Sequence, residues 1–322
     1  MGRLIKLILS FVLFFSVVLA ETTIVNSPTE HYTITKKIGE GAFGKVYAVE
    51  NPEGEKFALK TYKGITGEPS MQFLYCLDDL EREYSRGQEL DHPHIIKTIE
   101  YFHVLDGQDT ETRYLVLQYV DGIALRRVEK KSISQKQALL ATLELIDALQ
   151  HGLDRNLVYL DLHLDNIMMS RGDGVMVIDL ASFFNPDELA EFVLNFFYFD
   201  DEDETVSLVP AAYNARMFKK AFMAKKSAVT VQEGKNPFIE MSNEEIFAAY
   251  LPQYVDQITE ICGYIISISD FSHEEKARIR AEIKQVSWRY ILEADDGDNH
   301  PVEFYFEEIV ETLQSHLENL SH

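Results

Sequence analysis

Two periodicities divide the chain. Between Tyr32 and Tyr119 apolar and polar residues alternate over short runs, the period of strands covered on one face. The runs are Thr33–Ile38, Lys45–Val49, Lys56–Tyr62, Ile95–Val104 and Thr112–Tyr119, which predict a five-stranded sheet. Ser70–Leu90 instead has helical spacing, with Phe73, Leu77, Leu80 and Tyr84 on one face and Glu81 and Glu83 near it. Asp121-Gly122 breaks the pattern and reads as a linker, and beyond it the period lengthens. Ser134 with Gln137 three residues on is a capping-box signature, followed by a stripe of Leu139, Leu143, Ile146 and Leu153. Further helices are expected over Asp187–Phe199, Pro210–Lys226, Asn243–Ser267, Ser272–Tyr290 and Val302–Leu320. The predicted class is α+β: a small antiparallel sheet lobe over 21–120 and a mainly helical lobe over 121–322.

One stretch interrupts the helical half. From Tyr159 to Asp179 the chain reads Y-L-D-L-H-L-D-N-I-M-M-S-R-G-D-G-V-M-V-I-D, with apolar runs Ile167–Ser170 and Val175–Ile178 around the polar turn Arg171–Gly174. A strand–turn–strand hairpin folds Asp179 back beside Asn166, so an amide oxygen and a carboxylate converge. Mg²⁺ takes oxygen ligands and keeps several waters, so two such ligands suffice where phosphates supply the rest. Asp161, five residues before Asn166, is left to act as a base on a hydroxyl. This is the layout of a phosphoryl-transfer site.

The sheet half carries a matching element. Gly39-Glu40-Gly41-Ala42-Phe43-Gly44 lies between two strand patterns. The residues after it, Val46, Tyr47 and Val49, are strand formers, which argues against a dinucleotide-binding turn opening a helix. Gly44-Lys45-Val46 lacks the hydroxyl of a Walker loop. A glycine turn between strands suits a flap whose backbone covers nucleotide phosphates. Lys60, alternating with Ala58 and Tyr62 on the third strand, is placed to bind the α- and β-phosphates.

Composition narrows the partners. Thirty basic against 53 acidic residues give a formal net charge of −23, which excludes nucleic acid as an expected partner. The basic group Arg216, Lys219, Lys220, Lys225 and Lys226 and the acidic runs Phe199–Glu204 and Asp295–Asn299 read as solvated segments, the first also as a dock for an acidic substrate segment. Cys76 and Cys262 build no disulfide framework and are expected as free, buried thiols. Met1–Ala20 has a basic start (Arg3, Lys6), an apolar run Leu7–Leu19 and a small-residue end, the form of a secretory signal peptide. Export and no stable membrane insertion after cleavage are therefore expected. Nothing in the sequence sets the oligomeric state.

Taken together these residues resemble the eukaryotic-type protein kinases, over Tyr32 to about Ser182. The resemblance implies a two-lobed fold that uses ATP and Mg²⁺. It assigns nucleotide contacts to Gly39, Glu40, Gly41, Ala42, Phe43, Gly44, Val46, Ala58 and Lys60, with Leu117 at the gatekeeper and Gln118 to Val120 at the adenine hinge. Glu83 becomes the ion-pair partner of Lys60, Asp161 the catalytic base, and Asn166 and Asp179 the magnesium ligands. His163 stands where protein-Ser/Thr kinases keep a lysine, implying γ-phosphate contact with pH-dependent charge.

Departures from the pattern carry expectations too. Leu160 replaces the arginine that reads a phosphorylated activation loop, Asp179-Leu180-Ala181 replaces Asp-Phe-Gly, and no Ala-Pro-Glu follows. The activation segment is read as truncated or absent, which removes its phosphorylation as a switch. Gly87, one turn past Glu83, replaces a bulky apolar residue and predicts a loosely docked helix. The functional expectation is an exported protein Ser/Thr kinase, with host proteins as candidate substrates of a bacterial effector. Asp-Leu-His-x-x-Asn also fits a small-molecule or lipid kinase. A pseudokinase acting as a binding module would need a lost catalytic residue, and none is missing.

Overall fold

The computed structural model describes residues 23–40, 44–63, 80–105, 111–172, 174–196, 241–295 and 302–320. The chain forms two compact units, one from residues 1–64 and 100–119, the other from 65–99 and 120–322. The expected α+β class is what the structure shows, with antiparallel strands dominating the first unit and helices the second.

The first unit is built on one sheet. Its strands are β1 (Ile24–Asn26), β2 (His31–Glu40), β3 (Gly44–Glu50), β4 (Lys56–Lys63), β5 (Thr98–Leu105) and β6 (Glu111–Gln118), in the order β1-β2-β3-β4-β6-β5. The sheet is thus six-stranded rather than five-stranded; β1 is too short to show alternation and is held by pairing with β2 at Val25↔Tyr32. One face is covered by Val25, Tyr32, Val49, Leu59, Phe102 and Val116, with Ile34, Tyr47, Phe57 and Tyr114 packed against them. Side chains alternate between faces along a strand. Leu59 in the core therefore sends Ala58 and Lys60 to the opposite face.

The second unit holds six α-helices among the described residues: α1 (Leu80–Glu89), α2 (Gln135–Leu153), α3 (Pro186–Phe196), α4 (Asn243–Ile268), α5 (His273–Asp295) and α6 (Val302–Asn319). Ser134 caps α2 as its sequence predicts: Gln137 N donates to Ser134 Oγ at 3.2 Å, and Ser134 N donates to Gln137 Oε1 at 2.9 Å. The buried stripe of α2 runs through Leu139, Leu145, Ile146, Leu149 and Leu153, while Leu143 is only half-buried. Short strands β7 (Gly122–Ala124), β9 (Ile167–Ser170) and β10 (Val175–Val177) form a sheet in the order β10-β9-β7, and β8 (Val158–Tyr159) pairs with β11 (Phe183–Phe184). Ile95, expected to open a long strand, makes only a parallel bridge to Val177, and β5 starts at Thr98.

Cys262 is a free buried thiol whose pKa burial pushes up to about 12. Among the described residues no helix is long and apolar enough to cross a membrane. The leader pattern, Cys76, the 210–226 helix with its basic group, and the acidic runs at 199–204 and, past Asp295, 295–299 lie outside the described residues.

Candidate active site

The hairpin predicted from the apolar runs is present. Val177 pairs with Ile167 and Val175 with Met169, and Ser170 N donates to Gly174 O at 2.8 Å across the turn. Gly174 sits at φ +72°, and a Cβ there would fall 2.0 Å from Glu144 Oε2. That carboxylate accepts the Val175 N–H at 3.0 Å, so only glycine lets α2 hold the turn from behind. The pairing continues past the strands, Ile178 N donating to Asn166 O at 2.9 Å. Asn166 and the Ile178–Asp179 step thereby lie side by side.

Asp161 joins them. The Asn166 Nδ2 donates to Asp161 O at 3.1 Å and to Asp161 Oδ2 at 3.2 Å. The amide nitrogen thus binds one residue twice, and the Asn166 Oδ1 is the end of the group able to serve as a cation ligand. Asn166 is buried, which fixes that orientation. Among the described residues no group of three or more His, Cys, Asp or Glu side chains forms a metal site. An amide and a carboxylate are a fitting hard-oxygen set for Mg²⁺ when a substrate's phosphates complete the shell.

His163 adjoins the same carboxylate, its Nε2 lying 3.3 Å from Asp161 Oδ2, while its Nδ1 accepts the Asp165 N–H at 3.2 Å. Burial is the strongest influence on this imidazole and lowers its pKa. The hydrogen bond and charge of Asp161, with Asp165 and Asp179, outweigh it and leave the net shift upward. Asp161 also acts on α4: after burial and Tyr254, its charge is a cause of the high pKa of the fully buried Tyr250.

Asp179 has φ +64° and ψ +59°, the left-handed region that aspartate tolerates better than most residues. Its carbonyl and that of Ile178 are gripped by the Tyr159 hydroxyl, at 3.3 and 2.6 Å. After Asp179 come a three-ten turn at Leu180–Ser182, strand β11 and then α3. Asn185 and Glu188 cap α3 reciprocally at 2.9 Å, with Pro186 at its first position.

Helix α1 packs on that three-ten turn. Its buried face is Leu80, Glu83 and Arg86; of the expected apolar row Leu80 is buried and Tyr84 half-buried, while Phe73 and Leu77, with the rest of 70–79, lie outside the described residues. Arg86 Nε and Arg82 Nη2 both donate to the Phe183 carbonyl, at 3.0 and 3.1 Å, and both guanidinium groups pair with Glu188. Arg82 also stacks 3.9 Å from the Phe184 ring centroid. The loose docking expected from Gly87 is not found. A Cβ at Gly87 would lie 2.2 Å from Thr98 Oγ1, whose hydroxyl donates to Tyr84 O at 3.1 Å; the missing side chain permits close approach.

In the first unit, Lys60 pairs across to Val46 and Leu115, Ala58 to Leu117, and Gly39 to Val46. Directly opposed residues share a face, so Gly39, Val46, Ala58, Lys60 and Leu117 line the sheet face opposite its core. Lys60 Nζ lies 5.7 Å from the Tyr62 ring centroid. At Gly44 a Cβ would meet the Tyr62 ring at 2.1 Å. Glu40 is exposed and paired with Lys37 at 2.5 Å; Gln118 and Val120 are half-buried at and beyond the end of β6. Gly41, Ala42 and Phe43 lie outside the described residues. Lys60 belongs to the first unit and Glu83 to the second.

Four residues unassigned from sequence thus touch the candidate groups or their supports: Tyr159, Arg82, Arg86 and Glu188. Asn185-Pro186-Asp187-Glu188 is legible as a cap, but the arginines' targets lie about a hundred residues away.

A family model described as the protein kinase domain matches residues 32–287. The chain is 30% identical over 173 residues to a probable serine/threonine-protein kinase KIN1 homolog of Enterocytozoon bieneusi, covering 52% of this chain and 27% of that protein. It is 32% identical over 145 residues to a probable myosin light chain kinase of Dictyostelium discoideum (44% and 42%), and 29% identical over 153 residues to CBL-interacting protein kinase 17 of Oryza sativa (47% and 32%). The chain therefore spans less than half the length of these relatives. With a family model matching most of its length and the expected elements in order, the chain belongs to the protein kinase domain family.

Proposed function

We propose that this protein transfers the γ-phosphoryl group of ATP to a serine or threonine hydroxyl of a protein substrate. The observation that carries the reading is the joining of Asp161 and Asn166 by the amide's two hydrogen bonds, with Asn166 paired to the strand end that leads into Asp179. Asn166 and Asp179 would hold Mg²⁺, which when bound supplies charge neutralisation on the phosphates. Lys60 holds the α- and β-phosphates, and Gly39, Gly44, Val46, Ala58 and Leu117 form the nucleotide-facing surface of the sheet. Asp161 accepts the hydroxyl proton as the oxygen–phosphorus bond forms and the bond to the β-phosphate oxygen breaks, releasing ADP. His163, kept toward its charged form beside Asp161, adds positive charge where the transferred group is most negative. The Ser/Thr specificity is supported by what the relatives are named.

The test is incubation of purified protein with Mg²⁺ and radiolabelled ATP, against protein extract and against metabolite pools, with Asp161→Ala in parallel. Label on seryl or threonyl residues, dependent on Mg²⁺ and absent with Asp161→Ala, is the expected result. ATP binding with no transfer by the wild type would instead establish a binding module. A second reading, a small-molecule or lipid acceptor, is favoured by the immediate start of α3 at Pro186, where peptide-docking kinases run an activation segment. Label confined to the metabolite arm would select it.

A further inference from the structure

Kinases regulated on their activation segment use arginine side chains to read a phosphate, and the new ion pair orders the site. Here two arginines face the corresponding stretch, and a carboxylate is already between them. Glu188 pairs with Arg82, at 3.2 Å, and with Arg86. Arg86 is almost fully buried and uses each of its nitrogens: Nε to Phe183 O, Nη1 to Glu89 at 2.8 Å, Nη2 to Glu188. Glu89 is a half-exposed neighbour on α1 itself and ties nothing else to it. Glu188 comes from α3, so it alone of the two acids joins separate elements.

Glu188 is also preorganised. The reciprocal bonds with Asn185 fix the start of α3, and Glu188 Oε2 accepts the Asn185 N–H while it faces the guanidinium groups. The anchored carbonyl belongs to Phe183, whose strand pairs with Tyr159, and Leu160 N donates to Ser182 O at 2.8 Å. Tyr159 in turn holds the Ile178 and Asp179 carbonyls. An unbroken run of bonds therefore leads from Glu188, through the two arginines, to α1 with Glu83 at one end and to Asp179 at the other. Two cations converging on one buried carbonyl need an anion, since a buried charge without a partner is strongly unfavourable.

We propose that Arg82, Arg86 and Glu188 are positioning residues for phosphoryl transfer, forming a clamp in which the Glu188 carboxylate takes the place of a regulatory phosphate. Glu83 and Asp179 are held in working position without any phosphorylation. This rests on the kinase reading above.

The experiment compares full-length wild type, Glu188→Gln and Asp161→Asn, each before and after phosphatase treatment, measuring kcat, KM for ATP and melting temperature. The glutamine keeps an oxygen for the Asn185 N–H and removes only the charge. The expected result is wild-type turnover unchanged by phosphatase. For Glu188→Gln, kcat should be about tenfold lower, KM for ATP within about twofold and melting close to wild type. Arg82→Lys, which keeps the charge and loses the fork, serves if Glu188→Gln does not fold, with kcat expected about threefold lower. Phosphatase silencing an otherwise active wild type leaves the kinase reading intact and overturns the clamp. So does full activity in Glu188→Gln, or activity lost only in step with melting. A wild type that transfers no phosphate before or after treatment overturns the kinase reading, and the proposal with it.

Discussion

The β9–β10 hairpin and the segment following it, Leu180–Phe196, adjoin in sequence and differ in how far they depend on distant side chains. The hairpin is fixed largely by its own parts: backbone pairing over a dozen residues, a left-handed glycine at the turn and one amide that binds a loop five residues back, with β7, the His94–Ile96 backbone and Glu144 adding support from outside. The following segment is fixed from afar, by the Arg86 guanidinium, 97 and 102 positions from the two groups it binds, and by that of Arg82, 101 positions from the same Phe183 carbonyl. A locally wired element presents its groups wherever it folds. A remotely wired one is correct only when α1 is docked. In this molecule chemistry is concentrated in the first and conformational dependence in the second.

The contrast breaks first at Asp179. Asparagine tolerates the left-handed backbone as well as aspartate does, so Asp179→Asn removes the charge and little else. Phosphoryl transfer should fall by roughly a hundred- to a thousandfold with melting temperature unchanged. A large loss of stability instead would mean that the hairpin's end is not locally wired. At Arg86 the expectation reverses. Arg86→Met leaves the Phe183 carbonyl and Glu188 short of a donor and should cost about 3 kcal/mol, read as a lower denaturant midpoint. An effect below about 1 kcal/mol would show that Arg82 and the apolar contacts hold α1 without Arg86.

The same division sets what was legible in the sequence. The α2 capping box, the β9–β10 strands and the alternation on β4 each depend on residues a few positions apart, and each is found. Legibility fails where a partner is distant. The buried face of α1 includes the charged Arg86 because its partners Phe183 and Glu188 are distant, so apolar spacing gives Leu80 correctly and Tyr84 in place of Arg86. Gly87 looked like a loosening and is a close approach, because Thr98, eleven residues on, fills the space. Strand β1 has three residues and no readable period; only its register against β2 defines it. Leu143 was set on the α2 stripe by spacing, whereas Leu145 and Leu149 are more deeply buried.

Two glycines sharpen the comparison at smaller scale. Gly174 and Gly54 both have positive φ, +72° and +83°. A Cβ at Gly54 meets nothing within 4 Å, while at Gly174 it strikes Glu144. Gly54→Ala should therefore cost about 1 kcal/mol, for backbone strain alone, and Gly174→Ala roughly 2–3 kcal/mol, because Glu144 must also release Val175 N. Equal denaturant midpoints for the two variants would remove Glu144 as a support of the turn.

The smallest effect is expected at His163, which belongs to the locally wired half: its partners Asp161, Asp165 and Asn166 all lie within three residues. Burial works against its charge, yet Asp161, Asp165 and Asp179 leave its pKa above the ordinary 6.5. Over some range above 6.5 the folded chain holds a proton that the unfolded chain has released. The stabilisation is therefore fully present below 6.5 and is lost as pH rises through the folded-state value. The melting-temperature difference between wild type and His163→Gln should be greatest near about pH 6 and shrink toward about pH 9. In an Asp161→Asn background the main raising influence is gone and the difference should lose most of its slope. A difference that grows with pH would mean that the imidazole is held neutral, with burial prevailing over the three carboxylates around it.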